Sequence, residues 1–129
     1  MYDIRIINDK AILFKDDNQV ENLESLRDEY GYIRYKFNDG SFVHIWDDNT
    51  IRWFDSDGNY HRDDDMPAYI TTDGYMSYCK HGKLHRECGP ARIWLNGDGH
   101  YWIDGLEYTE DEFIKKLNSS YGCIYKYEF

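Results

Sequence analysis

Hydrophobic and polar residues alternate along most of the chain, in short runs that end at turn-forming residues. The runs at 33–37 and 42–46, for example, are separated by Asp39-Gly40. Period-two alternation is typical of a half-buried strand, and Asp and Gly tolerate the positive φ that tight hairpin turns require. The pattern therefore predicts an antiparallel meander of β-hairpins over residues 32–108.

The N-terminal part, residues 1–31, has a different pattern. Two apolar runs on either side of Asn8-Asp9 predict a hairpin. Apolar residues then recur at intervals of three and four, as they do on one face of a helix: Val20, Leu23, Leu26 and Tyr30. This spacing predicts a short helix over residues 18–30. A polar loop is the alternative, because few positions of that stretch are apolar.

The C-terminal part, residues 109–129, begins with a capping box. Thr109 and Glu112 are three positions apart, so each side chain can bond to the amide of the other. The box predicts a capping helix over residues 109–117 that covers the last strands, and the alternation over 121–129 predicts a final strand. The three parts of this 129-residue chain are expected to form a single domain.

The meander contains an internal repeat. A phrase that begins with His-Arg and leads to Pro-Ala occurs twice, at residues 61–68 and 85–91. Most of the shared landmarks are 23 positions apart: Pro67 and Pro90, Gly74 and Gly97, Tyr78 and Tyr101, Gly82 and Gly105. This period fits two strands with two turns, and a unit of that size needs neighbours to bury its apolar side. Such arrays are usually binding surfaces, so the repeat favours an interaction role.

The second copy resembles a MORN-type repeat. The matching residues are an aromatic, a Gly-Lys turn followed by Leu-His, and two later glycines: Tyr78, Gly82-Lys83-Leu84-His85, Gly89 and Gly97. Arg86 stands where that family has glycine, and this Gly-x-x-His-Arg-x-x-Gly-Pro-Ala variety is similar to repeats of bacteriophage and large DNA virus proteins. The resemblance covers roughly residues 50–115. It implies a MORN-like hairpin meander in a viral or phage accessory protein that binds a host protein, with no enzymatic activity.

Composition and charge narrow the class of partner. Aromatic residues make up 18% of the chain, with 13 Tyr and 4 Trp, which favours sheet over helix. The formal net charge of −10 opposes binding to nucleic-acid phosphates and to anionic membranes, since both are negative. A protein with a basic surface is the expected partner, and the oligomeric state is left open. The odd number of cysteines and the lack of a leader or long apolar run predict a cytoplasmic protein, in the host cytosol if the chain is viral.

Aromatic and basic side chains are the candidate partner-binding residues. Tryptophan supplies contact area at low entropic cost, and Arg donates hydrogen bonds to acidic groups. The candidates are Trp46, Trp53, His61, Arg62, His85, Arg86, Trp94 and Trp102. Two interpretations of the His-Arg pairs remain open, because a repeated pair can also bond to turn carbonyls and to nearby carboxylates such as Asp63 and Glu87.

Acidic residues near the first copy form a second group of candidates: Asp55, Asp57, Asp63, Asp64 and Asp65. They either solvate turns and keep an aromatic-rich protein soluble, or mimic the phosphates of a nucleic acid. The second interpretation makes the chain an acidic inhibitor of a host nuclease or defence complex, which is the alternative function.

No catalytic residue, metal or cofactor is predicted. The sequence has no nucleophile elbow, phosphate loop or His-Glu-x-x-His motif. Four residues of the second copy have side chains that can bind zinc: Cys79, His81, His85 and Cys88. The first copy does not repeat this set, whereas a metal needed by the repeat would recur. The sequence thus predicts a non-catalytic protein-binding module.

Overall fold

The computed structural model describes residues 1–20 and 25–120. These residues form fourteen β-strands and one α-helix. The strands pair in antiparallel fashion within three sheets. The predicted mainly β, antiparallel class is therefore confirmed.

The N-terminal part forms a three-stranded sheet of its own. Its strands are β1 (Tyr2–Ile7), β2 (Lys10–Lys15) and β3 (Asn18–Gln19). Asn8 and Asp9 have positive φ angles of 51° and 62°, as the tight turn between β1 and β2 requires. The predicted N-terminal hairpin is confirmed.

The largest sheet of the described residues has nine strands. In chain order its strands are β4 (Ser25–Arg27), β5 (Tyr32–Lys36), β6 (Phe42–Trp46), β7 (Ile51–Phe54), β8 (Tyr69–Ile70), β9 (Met76–Ser77), β12 (Arg92–Ile93), β13 (Gly99–Ile103) and β14 (Leu106–Tyr108). A separate hairpin lies between β9 and β12 in the chain and consists of β10 (Cys79–Lys80) and β11 (Lys83–Leu84). The large sheet follows chain order throughout, with β12 next to β9.

The predicted helix over residues 18–30 is wrong, because the stretch contains β3 and β4. The Val20 amide donates a hydrogen bond to the Leu13 carbonyl of β2 at 3.0 Å, so it bonds to a strand and not within a helix. Leu26 and Tyr30 are 65% and 75% exposed, so their spacing does not reflect a buried helical face. Leu23 lies outside the described residues.

One face of the nine-stranded sheet carries the main hydrophobic core. Alternate residues of each strand point to this face, as the pleat requires. The core also takes in a residue of the N-terminal sheet, and its buried members are Leu13, Val43, Ile45, Ile51, Trp53, Ala68 and Cys79. Side chains on the opposite face are mostly half-buried. We call that side of the sheet the open face.

The helix α1 (Glu110–Ser120) covers the C-terminal end of the sheet. The Thr109 amide donates to the Glu112 carboxylate at 3.0 Å, and the Glu112 amide donates to the Thr109 hydroxyl at 3.2 Å, so the predicted capping box is confirmed. Phe113 packs with strand residues in a second, smaller core. This one described helix is neither long nor apolar enough to cross a membrane. The strand predicted over 121–129 lies outside the described residues.

The hairpin turns depend on glycine at positions with little room. Gly74 follows β8 and has a φ of +94°, which L-residues rarely adopt. A Cβ at this position would lie 2.8 Å from Leu95 Cδ1, so the two neighbouring turns are closely packed. Gly58 has a similar φ of +85° but an open environment. Backbone conformation and crowding can therefore be separated experimentally in this protein.

Candidate protein-binding surface

The two His-Arg phrases make the same contacts, one repeat apart. The guanidinium of Arg62 lies 4.0 Å from the ring centroid of Trp53, and that of Arg86 lies 3.8 Å from the ring centroid of Tyr78. Each arginine also donates from Nη1 to the carbonyl of the proline in its own phrase, in both cases at 3.2 Å. The repeated sequence thus encodes a repeated unit of structure.

The histidines of the phrases bond to the hairpin turns that follow them. His61 Nδ1 accepts a hydrogen bond from the amide of His81 at 3.1 Å, and His85 Nδ1 accepts one from the amide of Asp104 at 3.0 Å. Their Nε2 atoms face carboxylates of their own phrases at 3.2 and 3.1 Å. Burial lowers the pKa of Arg62 to about 10, which still leaves it charged at neutral pH. These contacts favour the structural interpretation of the His-Arg pairs, in which they order the links between strands.

The zinc candidates do not form a ligand set. Both ring nitrogens of His85 are engaged, and His81 Nδ1 bonds to the Asp55 carboxylate at 2.8 Å. Cys79 is buried in the main core. Within residues 1–20 and 25–120, no three His, Cys, Asp or Glu side chains are grouped so that they could hold a metal ion.

A cleft of about 420 Å³ opens beside the first phrase, with Asp55 and His81 in its wall. The hydrogen bond from His81 is the main reason that the pKa of Asp55 lies below its usual value. The ring of His81 also stacks on that of His61, with centroids 4.0 Å apart. The second copy has Asp104 in place of His81, so the repeat does not require this pair. Within the described part of the chain, no serine or threonine hydroxyl bonds to the imidazole of His61 or of His81. The absence of enzymatic activity stays a prediction.

The open face carries a continuous series of rings, which we call the aromatic series. Along the series, successive centroids are 4.2 to 5.9 Å apart. Aromatic pairs at such distances contribute roughly 0.5 to 1.5 kcal/mol beyond the area that they bury. The members are Tyr32, Phe42, His44, Trp46, Phe54, Tyr60, Tyr69, Tyr75, Trp94 and His100.

Three arginines share the open face with these rings. Strand register joins them in one line across the sheet, in the order Arg34, His44, Arg52, Tyr69, Ser77 and Arg92. Each guanidinium lies 4.7 to 5.8 Å from the centroid of at least one ring of the aromatic series. We call Arg34, Arg52 and Arg92 the arginine row.

His44 lies between two members of the arginine row. Its Nε2 accepts a hydrogen bond from Arg34 Nε at 3.0 Å, and its side chain is 8% exposed. Burial, followed by the charges of Arg34 and Arg52, lowers the pKa of His44 from 6.5 to about 4. His44 is therefore neutral at physiological pH, and the bond from Arg34 depends on that state.

The structure separates the four predicted tryptophans. Trp46 and Trp94 lie on the open face, in the aromatic series. Trp53 is 7% exposed and belongs to the main core, so a binding role for it is not supported. Trp102 is half-buried in β13, outside the aromatic series.

Most of the acidic candidates have partners or turn roles within the chain. Asp55 bonds to a histidine at 2.8 Å, Asp63 lies 3.2 Å from another, and Asp65 accepts from an arginine at 2.8 Å. Asp64 and Asp65 have positive φ angles of 64° and 55°, and the Asp57 amide donates to Asp55 Oδ1 at 3.0 Å. Three of the five carboxylates are thus paired with a histidine or an arginine. Nucleic-acid mimicry stays a prediction.

The arginine row and the tyrosines of the open face were not among the candidates from sequence. A signal for them was present, since each arginine is two positions from an aromatic: Tyr32-x-Arg34, Arg52-x-Phe54 and Arg92-x-Trp94. Period-two geometry puts both residues of such a pair on one face of a strand. Their alignment in one line depends on strand register, which the sequence alone does not fix.

No protein-family model, no curated protein and no solved structure matches the chain.

Proposed function

We propose that the chain is a non-catalytic protein-binding module that holds a partner protein on its open face. The observation that carries this proposal is the aromatic series together with the arginine row. Tyr, Trp and Arg dominate the binding energy of many protein interfaces. Because these side chains already stack on one another, little further ordering is needed when a partner docks.

The repeat supports the same proposal. Two copies of the His-Arg phrase make matching contacts and extend one sheet, as the units of an array with an extended binding surface do. We include in the proposal the MORN-like identity of the repeat. The accessory role in a phage or virus, the host protein as partner and the cytosolic location also belong to it.

The charge of the open face changes the expected partner. The net charge of −10 predicts a partner with a basic surface. The arginine row adds three positive charges to the open face at the place where we expect contact. A basic partner therefore fits the remainder of the surface, whereas the open face fits a partner that is not basic.

Affinity capture from a lysate of the natural host, followed by quantitative mass spectrometry, tests the proposal. The variant Trp46→Ala/Trp94→Ala removes two large rings of the open face. Tyr30→Ala is the matched control, because Tyr30 is an aromatic that is 75% exposed and lies outside the aromatic series. We expect at least one protein that wild type and control enrich and that the double variant does not, with direct titration of the purified protein as confirmation.

A second variant guards against loss of folding. Arg52→Gln keeps every ring of the open face and removes one charge. Thermal unfolding followed by circular dichroism shows whether each variant is folded at the temperature of capture. If folded open-face variants capture the same proteins as wild type, the open face is not the binding surface and the proposal is wrong.

A further inference from the structure

The members of the arginine row lie on the open face without a salt bridge to any described carboxylate, although Asp48 and Asp73 line a cleft with Arg52. The chain has 25 acidic residues, and exposed arginines elsewhere bond to them. Arg5 pairs with Asp3 and Asp17, and Arg27 pairs with Asp47. None of the three arginines of the row forms an ion pair with a carboxylate of the described residues. Arg52 is near enough to Asp48 for its charge to contribute, after hydrogen bonds to that carboxyl, to its lowered pKa, yet no described carboxylate is bonded to the guanidinium groups of the row.

Contacts within the chain hold the guanidinium groups of the row in place but do not use all of their hydrogen-bond donors. Arg34 Nε donates to His44 at 3.0 Å, and Arg92 Nε donates to the Tyr75 hydroxyl at 3.0 Å. Arg52 lies between two rings, 5.2 Å from the Trp46 centroid and 5.0 Å from that of Tyr69, and makes no side-chain hydrogen bond within the described part of the chain. The Nε atoms of Arg34 and Arg92 are used in these bonds and that of Arg52 is buried, so the terminal Nη groups are the ones that a ligand can reach. Stacking on a ring occupies the flat face of a guanidinium, whereas its Nη N–H groups lie in the plane, along its edge. Such an edge fits a carboxylate.

Strand spacing sets the length of the ligand. Arg34 and Arg52 are two strands apart, and Arg52 and Arg92 are three strands apart. At about 4.8 Å per strand, the intervals are about 10 Å and about 14 Å. An extended peptide rises by about 3.3 Å per residue, so about eight residues are needed to reach all three arginines.

From this geometry we propose that the open face binds an acidic, extended peptide segment of the partner protein, with carboxylates on the arginine row. This inference rests on the proposed function and names the chemistry of its partner. Each carboxylate accepts hydrogen bonds from the Nη groups of one guanidinium, and apolar side chains of the segment lie on the aromatic series. Acidic residues of the chain, including Asp48 and Asp73 in the cleft with Arg52, repel carboxylates of the segment that are not bonded to a guanidinium, so they fix where those carboxylates lie.

Single-stranded nucleic acid is the competing ligand, because bases also stack on aromatic side chains and arginines neutralise phosphates. The rings of the aromatic series already pack against one another at 4.2 to 5.9 Å, which leaves no gap for a base to insert. The net charge of −10 also opposes a ligand with one charge per nucleotide. These two observations favour the peptide.

Nuclear magnetic resonance of the ¹⁵N-labelled full chain tests the inference with defined probes. The probes are a capped peptide of alternating Glu and Ser of about nine residues, the same peptide with Gln for Glu, and an oligothymidylate of similar length, at about 50 mM salt where screening is weak. We expect the Glu peptide, and not the Gln peptide, to shift the indole N–H signals of Trp46 and Trp94. Arg52→Gln should weaken binding of the Glu peptide by about fivefold, which is the effect of one partly exposed ion pair.

Arg27→Gln is the matched control, since it removes the same charge from an arginine outside the row that already has a carboxylate partner. Its effect should stay within about twofold of wild type. Equal binding of the Glu and Gln peptides, or equal losses in the two arginine variants, would overturn the inference. Tighter binding of the oligothymidylate that is lost in Arg52→Gln would assign the row to nucleic acid instead.

The two proposals fail in different ways. If open-face variants lose their captured partner while the Glu peptide leaves the indole signals unchanged, the acidic segment is wrong and the protein-binding function stands. If the Glu peptide binds the row but capture does not depend on the open face, the acidic-segment inference and the proposed function are both wrong, and the row is an anion site without a docked protein.

Discussion

The neutral state of His44 predicts a pH dependence of stability that can be measured directly. In the folded chain the pKa of His44 is about 4, against an ordinary value of 6.5. The unfolded chain therefore takes up a proton first as the pH falls. Stability from this group is fully present above pH 6.5, is lost as the pH falls towards 4, and changes little below that value. Protonation would place a third positive charge between Arg34 and Arg52 and remove the acceptor of the Arg34 bond.

The size of the effect follows from the shift. Each pKa unit corresponds to about 1.4 kcal/mol, so the full shift amounts to about 3 kcal/mol in the free energy of unfolding. Between pH 7 and about pH 4.5 we expect a loss of about 2 kcal/mol from this group. Since the stability of a small domain is about 5 to 15 kcal/mol, such a loss is well within the range of measurement.

Urea unfolding of wild type and His44→Gln, followed by tryptophan fluorescence at a series of pH values, isolates this contribution. Glutamine keeps an acceptor for Arg34 and does not titrate. Asp39 and Asp48 have lowered pKa values and also lose stability in acid, but they do so equally in both proteins. We expect the wild-type curve to fall by about 2 kcal/mol more than that of the variant. Parallel curves would show that burial and the neighbouring arginines do not hold His44 neutral in the folded chain.

Three further predictions concern the fold. Arg62→Ala and Arg86→Ala should each lower the free energy of unfolding in urea by about 2 kcal/mol, and a loss in only one would contradict the equivalence of the two phrases. Gly74→Ala should cost about 1 kcal/mol more than Gly58→Ala in the same assay, because only the first adds crowding to backbone strain, and equal costs would refute this. Thr109→Ala should lose about 1 kcal/mol and some helical circular dichroism, whereas an unchanged spectrum would show that the cap is dispensable.

Much of the β architecture could be predicted from the sequence because its signals are local. Asn8-Asp9 and Asp73-Gly74 mark turns through their own backbone preferences, and Thr109 with Glu112 marks a helix start within one turn of chain. The repeat of the His-Arg phrase carries the same information twice. These features do not depend on which strands lie next to each other.

The errors arise where tertiary contacts decide the outcome. Val20 and Leu26 have helical spacing, yet each of these two residues pairs with a neighbouring strand instead. Trp46 and Trp53 look alike in sequence, but they belong to different strands and point to opposite faces of the sheet. The arginine row depends on the register of several strand pairs, and no local pattern fixes that register.

The helix α1 begins where a third His-Arg phrase would stand. One period of 23 residues after the second phrase, the chain has Tyr108 and Thr109, and Thr109 caps the helix. The ring of Phe113 then packs against that of Tyr101 in a tilted arrangement, with centroids 4.6 Å apart. In the two earlier units an arginine packs against the equivalent ring. The helix α1 therefore takes the place of a third His-Arg phrase and ends the series of repeat units. We therefore expect a chain with one more repeat unit inserted before Thr109 to gain one unit of sheet and to keep the helix at its end.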